Sequence, residues 1–174
     1  MIEISKYGVT LRLLDQENLE LVRTWRNDPK IRQYLLMRDV ISPEQQQKWF
    51  LQLDTSVHQY FVIYWKDRKI GLVQITKINH FESTGHPGIF IYEEDHGNTL
   101  LAFQAMFVLL DYGFNILGLK KMFAEVLKTN ERAIRFNRFF GYELVEGQGD
   151  KEYDLYVVTK ENCQKASLSF QNVR

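Results

Sequence analysis

Several side chains in this sequence carry groups able to do chemistry. His86 stands just before an apolar run, and its ordinary pKa near 6.5 suits a base at neutral pH; a loop histidine facing solvent fits equally well. Glu93 closes the same run and could move a proton through water, although a surface carboxylate is the plainer reading. The turn Glu94-Asp95-His96-Gly97-Asn98-Thr99 follows and leads into a long apolar segment. The first N–H groups of a helix are unpaired and its dipole is positive there, so amides of Gly97, Asn98, Thr99 and Leu100 could receive a phosphate. Arg132, Arg135 and Arg138 recur every three residues and form one basic stripe, of which Arg138 reads as solvated face. His80, His86 and His96 are too widely spaced, with Cys163 distant, to resemble a metal site.

The elements that must position these groups follow from pattern. Val9–Leu14 alternates and predicts a half-buried edge strand. Asp15 caps a helix through Trp25 that stops at Asp28-Pro29, because the residue before proline is pushed out of helical space. Ser42-Pro43-Glu44-Gln45 is a capping box with proline in the first helical position, followed by Trp49, Phe50 and Leu53 facing a core. Tyr60–Trp65 and Ile70–Ile78 predict a hairpin around the charged loop Lys66-Asp67-Arg68-Lys69. His80–Pro87 reads as loop and Gly88–Tyr92 as strand. Thr99–Leu117, apolar nearly all round, predicts a central helix with Gly118 as its C-terminal cap. Lys121–Leu127 is a strand, Asn130 caps a helix ending at Gly141, and Tyr142–Val145 and Tyr153–Val158 close the order. The tail from Glu161 is polar and is expected to fray. One βαβ crossover inside a meander predicts an α+β fold, a mixed and mostly antiparallel sheet with helices on both faces.

Composition excludes several classes. The 174 residues fit one domain, taken as 1–160 with a polar tail 161–174. Twenty-two basic residues balance twenty-two acidic ones, so no net field draws the chain to nucleic acid or to a membrane. The longest apolar run, Leu100 to Leu110, is too short to span a bilayer. A lone cysteine forbids an internal disulfide, and with no signal-peptide pattern at the start this points to a cytoplasmic protein. The partners expected are small molecules, with a homodimer left open.

Three pieces together resemble the GCN5-related N-acetyltransferases, over about residues 7–158. They are Trp25-Arg26-Asn27, the strand–turn–long helix ending Tyr112-Gly113-Phe114, and Asn130…Ala133-Ile134…Phe140-Gly141-Tyr142, close to the family's N-x-x-A-I…G-[FY] ending. Trp25-Arg26-Asn27-Asp28 and Ile41–Phe50 look most like the branch that acetylates ribosomal-protein N-termini, antibiotics or nucleotide-linked amino sugars.

The resemblance implies acetyl-CoA as co-substrate, no metal, and direct attack by a primary amine in a ternary complex. Acetyl-CoA would lie where strand Gly88–Tyr92 splays from strand Lys121–Leu127. Ile91 and Tyr92 would meet the pantetheine arm, with Asn130 and Asn137 opposite and Arg132 near the adenosine 3′-phosphate. His86 or Glu93 would relay the amine proton, and a backbone N–H on the splayed strand would hold the developing oxyanion. Trp25, Asn27 and Phe81 would line the acceptor site, although Trp25 reads equally as a core anchor. Two positions depart from the family pattern. The phosphate turn keeps one glycine and lacks the usual arginine, and Asn137 stands where a tyrosine often protonates the leaving thiolate. The acceptor implied is a nucleotide-linked amino sugar; the alternatives are a protein N-terminus or a catalytically silent relative.

Overall fold

The computed structural model describes residues 2–93 and 100–171. Its strands are β1 (Glu3–Lys6), β2 (Val9–Leu13), β3 (Gln59–Trp65), β4 (Arg68–Asn79), β5 (Thr84–Ile91), β6 (Lys121–Leu127), β7 (Glu143–Leu144) and β8 (Tyr153–Thr159). They form one sheet in the order β1-β2-β3-β4-β5-β6-β8-β7, antiparallel throughout except for the β5–β6 pair. The helices are α1 (Leu19–Asn27), α2 (Pro29–Arg32), α3 (Pro43–Leu51), α4 (Leu100–Asn115), α5 (Glu131–Phe139) and α6 (Lys160–Gln171). None of the described helices is long and apolar enough to cross a membrane.

Strand alternation divides the core. Val9, Leu11, Phe61, Ile63, Val73, Ile75, Met122, Ala124 and Val126 face α4, whose residues from Ala105 to Leu110 are all buried. On the opposite face Val62 and Leu72 meet Leu19, Val22 and Trp25 of α1, with Trp49 and Phe50 of α3 packed alongside. The mixed sheet with helices on both faces is therefore present as expected.

Local chemistry fixes most boundaries. Ser42 Oγ accepts from Gln45 N at 3.2 Å while Gln45 Oε1 accepts from Ser42 N at 2.7 Å, the reciprocal capping box that starts α3. Asp28 ends α1 in an extended conformation and its carboxylate accepts from Lys30 N, so the chain restarts at once as α2. Gly118, at φ +70°, terminates the turn after α4.

Several expected boundaries move. Lys66 and Asp67 both adopt left-handed φ (48° and 63°), giving a two-residue hairpin whose twist matches its strands. Arg68 and Lys69 accordingly belong to β4 rather than to a four-residue loop. Tyr7 and Gly8 do the same (54° and 83°) and fold β1 back on β2, so β1 occupies the edge assigned to Val9–Leu14. The segment from Lys160 does not fray: it is α6, with Cys163 buried and the Asn162 carbonyl against Gly141, where a Cβ would come within 2.9 Å.

β5 begins at Thr84, so His86 is a strand residue rather than a loop residue. Its partner β4 carries a bulge: two residues, Lys77 and Ile78, oppose the single Gly85, with Lys77 at φ +51°. Gly85 itself allows close packing against the buried core. A Cβ there would lie 2.9 Å from Ile75 Cγ2 and 3.0 Å from Leu119 Cδ1.

Candidate active site

β5 and β6 are paired only at Thr84↔Lys121 and Gly85↔Met122. Beyond that point β6 pairs with β8 alone, and the two parallel strands part. Backbone direction within β5 follows from two contacts. Tyr92 N donates to Ile70 O at 2.9 Å, and the His86 carbonyl accepts from Thr76 Oγ1 at 3.3 Å, so even-numbered residues turn their backbone groups toward β4. By the alternation of an antiparallel ladder, Pro87, Ile89 and Ile91 turn theirs toward the opening. Pro87 is tolerated inside a strand for this reason: the N–H it lacks would face the side where β6 no longer pairs. The N–H and carbonyl groups of Ile89 and Ile91 are left for an extended ligand lying in the wedge. This fits a pantetheine-like chain.

At the vertex, His86 and Phe123 face each other with ring centroids 5.6 Å apart. Both project to the α1–α3 face. Lys77 Nζ lies 3.0 Å from Glu125 Oε1, so an ion pair from the β4 bulge to β6 closes over the strand bearing His86. Partial burial, then the Lys77 charge, push the His86 pKa below its ordinary value, with Glu125 opposing. The imidazole is thus neutral at pH 7 and able to accept a proton.

A polar row leads across the sheet to this vertex. Tyr60 registers with Gln74, and Gln74 with Gly88. Gly88 has no side chain, and the Gln74 amide lies over it, its Nε2 3.3 Å from where a Cβ would be. Arg26 of α1 is close enough to Tyr60 for the two to interact electrostatically. Tyr60, Gln74, Lys77 and Glu125 belong to the site without a sequence motif that marks them. The available signal was Gln74, a polar residue between the fully buried Val73 and Ile75 of β4.

The other expected site residues are distributed as follows. Glu93 lies seven residues past His86, about 23 Å along an extended strand, and its carboxylate pairs with Arg68 at 3.4 Å. The two cannot serve one proton transfer. Tyr92 does not offer its backbone to the wedge: its N–H is held by Ile70, its carbonyl by Lys30 Nζ at 3.0 Å, and its hydroxyl donates to Asp28 at 3.0 Å. Trp25 is only 4 % exposed and stacks on Tyr92 at 5.4 Å, so it anchors the core under the cleft instead of lining it. Asn27 spends its amide on Ile41, donating at 2.8 Å and accepting at 2.9 Å, and thereby pins the loop before α3. Phe81 is 98 % exposed at the β4–β5 hairpin tip and walls nothing.

Asn130 caps α5 through Ala133 N at 3.0 Å. The cap stands just beyond the end of β6, at the wide end of the wedge. Asn137 is buried and donates to the Ala133 carbonyl at 2.9 Å, so its amide N–H is engaged within its own helix. Arg132 is exposed on the first turn of α5. Leu100, the first residue of α4, is 44 % exposed, while Gly97, Asn98 and Thr99 lie outside the described residues.

Comparison with known proteins agrees with this geometry. A family model described as an acetyltransferase (GNAT) domain matches residues 9–143. The spermidine N(1)-acetyltransferase of Escherichia coli (strain K12) is 32 % identical over 152 residues, spanning 83 % of this chain and 77 % of that protein. Among solved structures, apo FdhC, described as a nucleotide-linked sugar GNAT, superposes with a TM-score of 0.81 at 20 % identity, covering 98 % of this chain and 97 % of that one. Spermidine N-acetyltransferase from Vibrio cholerae, solved with CoA and spermine, gives 0.79 at 20 % identity, covering 91 % and 99 %. The chain belongs to the GNAT acetyltransferase family and is an acetyl-CoA-dependent N-acetyltransferase.

Proposed function

We propose that this enzyme acetylates the primary amine of a nucleotide-linked amino sugar, presented on the α1–α3 face while the thioester of acetyl-CoA lies in the wedge. The observation that carries the reading is the end of β5–β6 pairing at Gly85 and Met122, with His86 as the next residue on the acceptor face. The fold neighbour described as a nucleotide-linked sugar GNAT supports the choice of acceptor.

In this reading the acceptor arrives as an ammonium and must lose a proton before its nitrogen can attack the thioester carbonyl. His86, neutral at pH 7, takes that proton directly or through one water. The N–H of Ile89, pointing into the wedge, donates to the carbonyl oxygen as it gains charge. As the new C–N bond forms, the C–S bond breaks and the electron pair leaves with sulfur. Asn137 cannot supply an acid proton, so the thiolate takes one from water. Leu100 and the preceding Gly97, Asn98 and Thr99 hold the pyrophosphate, Ile91 meets the pantetheine arm, and Asn130 and Arg132 flank it from α5. Glu93 stands at the far end of the strand, beside the pyrophosphate rather than the reacting amine.

A second reading has a specific support: the Escherichia coli relative at 32 % identity is named for spermidine. Calorimetry with acetyl-CoA tests the donor site. A panel of nucleotide-linked amino sugars, free amino sugars, spermidine and peptides, scored by released thiol, decides the acceptor. Turnover of spermidine in preference to every sugar would overturn the first reading in favour of the second.

A further inference from the structure

Arg26 stands on the last turn of α1, within electrostatic reach of Tyr60 on β3. Its side chain is half-buried, and Nε is sealed from solvent without a hydrogen bond. Among the described residues no carboxylate pairs with it and no acceptor bonds to it. Its neighbours differ: Arg23 is paired with Glu20 at 2.6 Å, and Lys30 sits 3.6 Å over the Tyr92 ring. Burial pushes the Arg26 pKa down, yet a guanidinium keeps its charge inside proteins. A half-buried cation with no partner is costly, and such groups concentrate where a ligand completes them.

Its position supplies the ligand's direction of approach. Tyr60, within electrostatic reach of Arg26, begins the row that continues through Gln74 to the bare backbone of Gly88. His86 follows two residues away on the same face of β5. The cation and the base thus stand at opposite ends of one polar track.

We propose that Arg26 forms an anion-binding subsite for the acceptor, holding a phosphate or carboxylate of the substrate while its amine reaches His86. The planar fork of a guanidinium matches both anions in bidentate fashion. The subsite rests on the acetyltransferase reading above and narrows it to amines carrying an anion. It also sets this cleft against polycations, because a polyamine would lie beside an uncompensated positive charge.

The test begins with acetyl-CoA calorimetry on wild type and Arg26→Gln. Equal binding in both is expected; no binding in either would sink the donor reading itself, and the subsite with it. Acceptors of three kinds are then compared by released thiol: nucleotide-linked amino sugars and amino-sugar phosphates, amino acids, and amines without an anion, including spermidine. Arg26→Gln is expected to raise KM for the best anionic acceptor by about 10- to 150-fold, the range for a lost hydrogen bond to a charged group. KM for neutral amines should stay unchanged, and relative turnover of spermidine should rise. The phosphate and carboxylate arms identify which anion is taken. Arg26→Lys, which keeps the charge and loses the fork, should fall between and serves as the folded control. The melting temperature of Arg26→Gln should hold or rise, because a half-buried unpaired charge has been removed. A fall in melting temperature with equal losses on all acceptors would make Arg26 a structural cation and overturn the proposal. Unchanged KM for anionic acceptors, or wild-type preference for spermidine, would overturn it as well.

Discussion

Lys77 and Glu125 meet at 3.0 Å across β5, the strand that carries His86, and neither would reach the other without the bulge that puts Lys77 at φ +51°. The pair is partly exposed, so its own contribution to stability is small. Its consequence is electrostatic: one charge lowers the His86 pKa and the other raises it.

The pH profile should follow those charges. Since the His86 pKa is lowered, first by burial and then by Lys77, the imidazole stays neutral until the pH falls below its ordinary range. The acid limb of kcat/KM should therefore have its midpoint below about 6.5. Lys77→Met removes a lowering charge and leaves Glu125 unopposed, so the limb should move to higher pH. Glu125→Gln should move it lower. Profiles of the three proteins measured at saturating acetyl-CoA check the signs. Stability follows the same linkage: the native state resists protonation of His86, so some stability should be lost as pH falls through the unfolded-state value.

His86 and Glu93 can be separated by kinetics. His86→Gln should lower kcat by about 10²- to 10⁴-fold, the usual contribution of a positioned base, with little change in KM for acetyl-CoA. Glu93→Gln should keep kcat within a factor of about two, because an exposed ion pair with Arg68 is worth little. Comparable losses in both variants would place the proton relay elsewhere.

The wedge makes a backbone prediction. Ile89→Pro deletes an N–H that points away from β4, at a position equivalent to Pro87, and should leave the β4–β5 ladder intact. If that N–H steadies the oxyanion, kcat should drop by about 10²- to 10³-fold relative to Ile89→Ala, which loses the same packing and keeps the donor. Equal rates in the two variants would remove Ile89 from the mechanism.

The vertex should be intolerant of added volume. A Cβ on Gly85 would fall 2.9 Å from Ile75 Cγ2 and 3.0 Å from Leu119 Cδ1, both in the buried core. Gly85→Ala should cost about 1–3 kcal/mol by overpacking. At Gly113 the nearest atoms are the flexible end of Met122, so Gly113→Ala should cost less. Urea titrations of both variants provide the comparison.

Cys163 offers a probe of α6. Burial pushes its thiol up to about 12, so it should resist thiol reagents at pH 8 in the folded protein and react once urea releases the helix. Rapid labelling of the native state would mean that α6 detaches readily.

Local signals determined much of this molecule. The capping box at Ser42, the break at Asp28-Pro29, the apolar α4 and the Asn130 cap are decided by neighbours within a few residues, so they are legible in a linear chain. The family motif at the end of α5 is equally local. The fold class and the presence of a splayed pair followed from them. Burial and register are different, because they depend on residues far apart in sequence. Trp25 and Asn27 carry site-like chemistry, yet a stacked Tyr92 and a distant Ile41 backbone claim them. Phe81 looks like a pocket wall, and a hairpin tip leaves it in solvent. Tyr60, Gln74, His86 and Glu125 come from four strands and become one surface only when the sheet sets their register. Sequence thus settled most of the backbone segments, β1, α2 and α6 excepted, through short-range sterics and hydrogen bonding; the sheet decided which side chains meet, because a one-residue change in register would turn each of them to the opposite face.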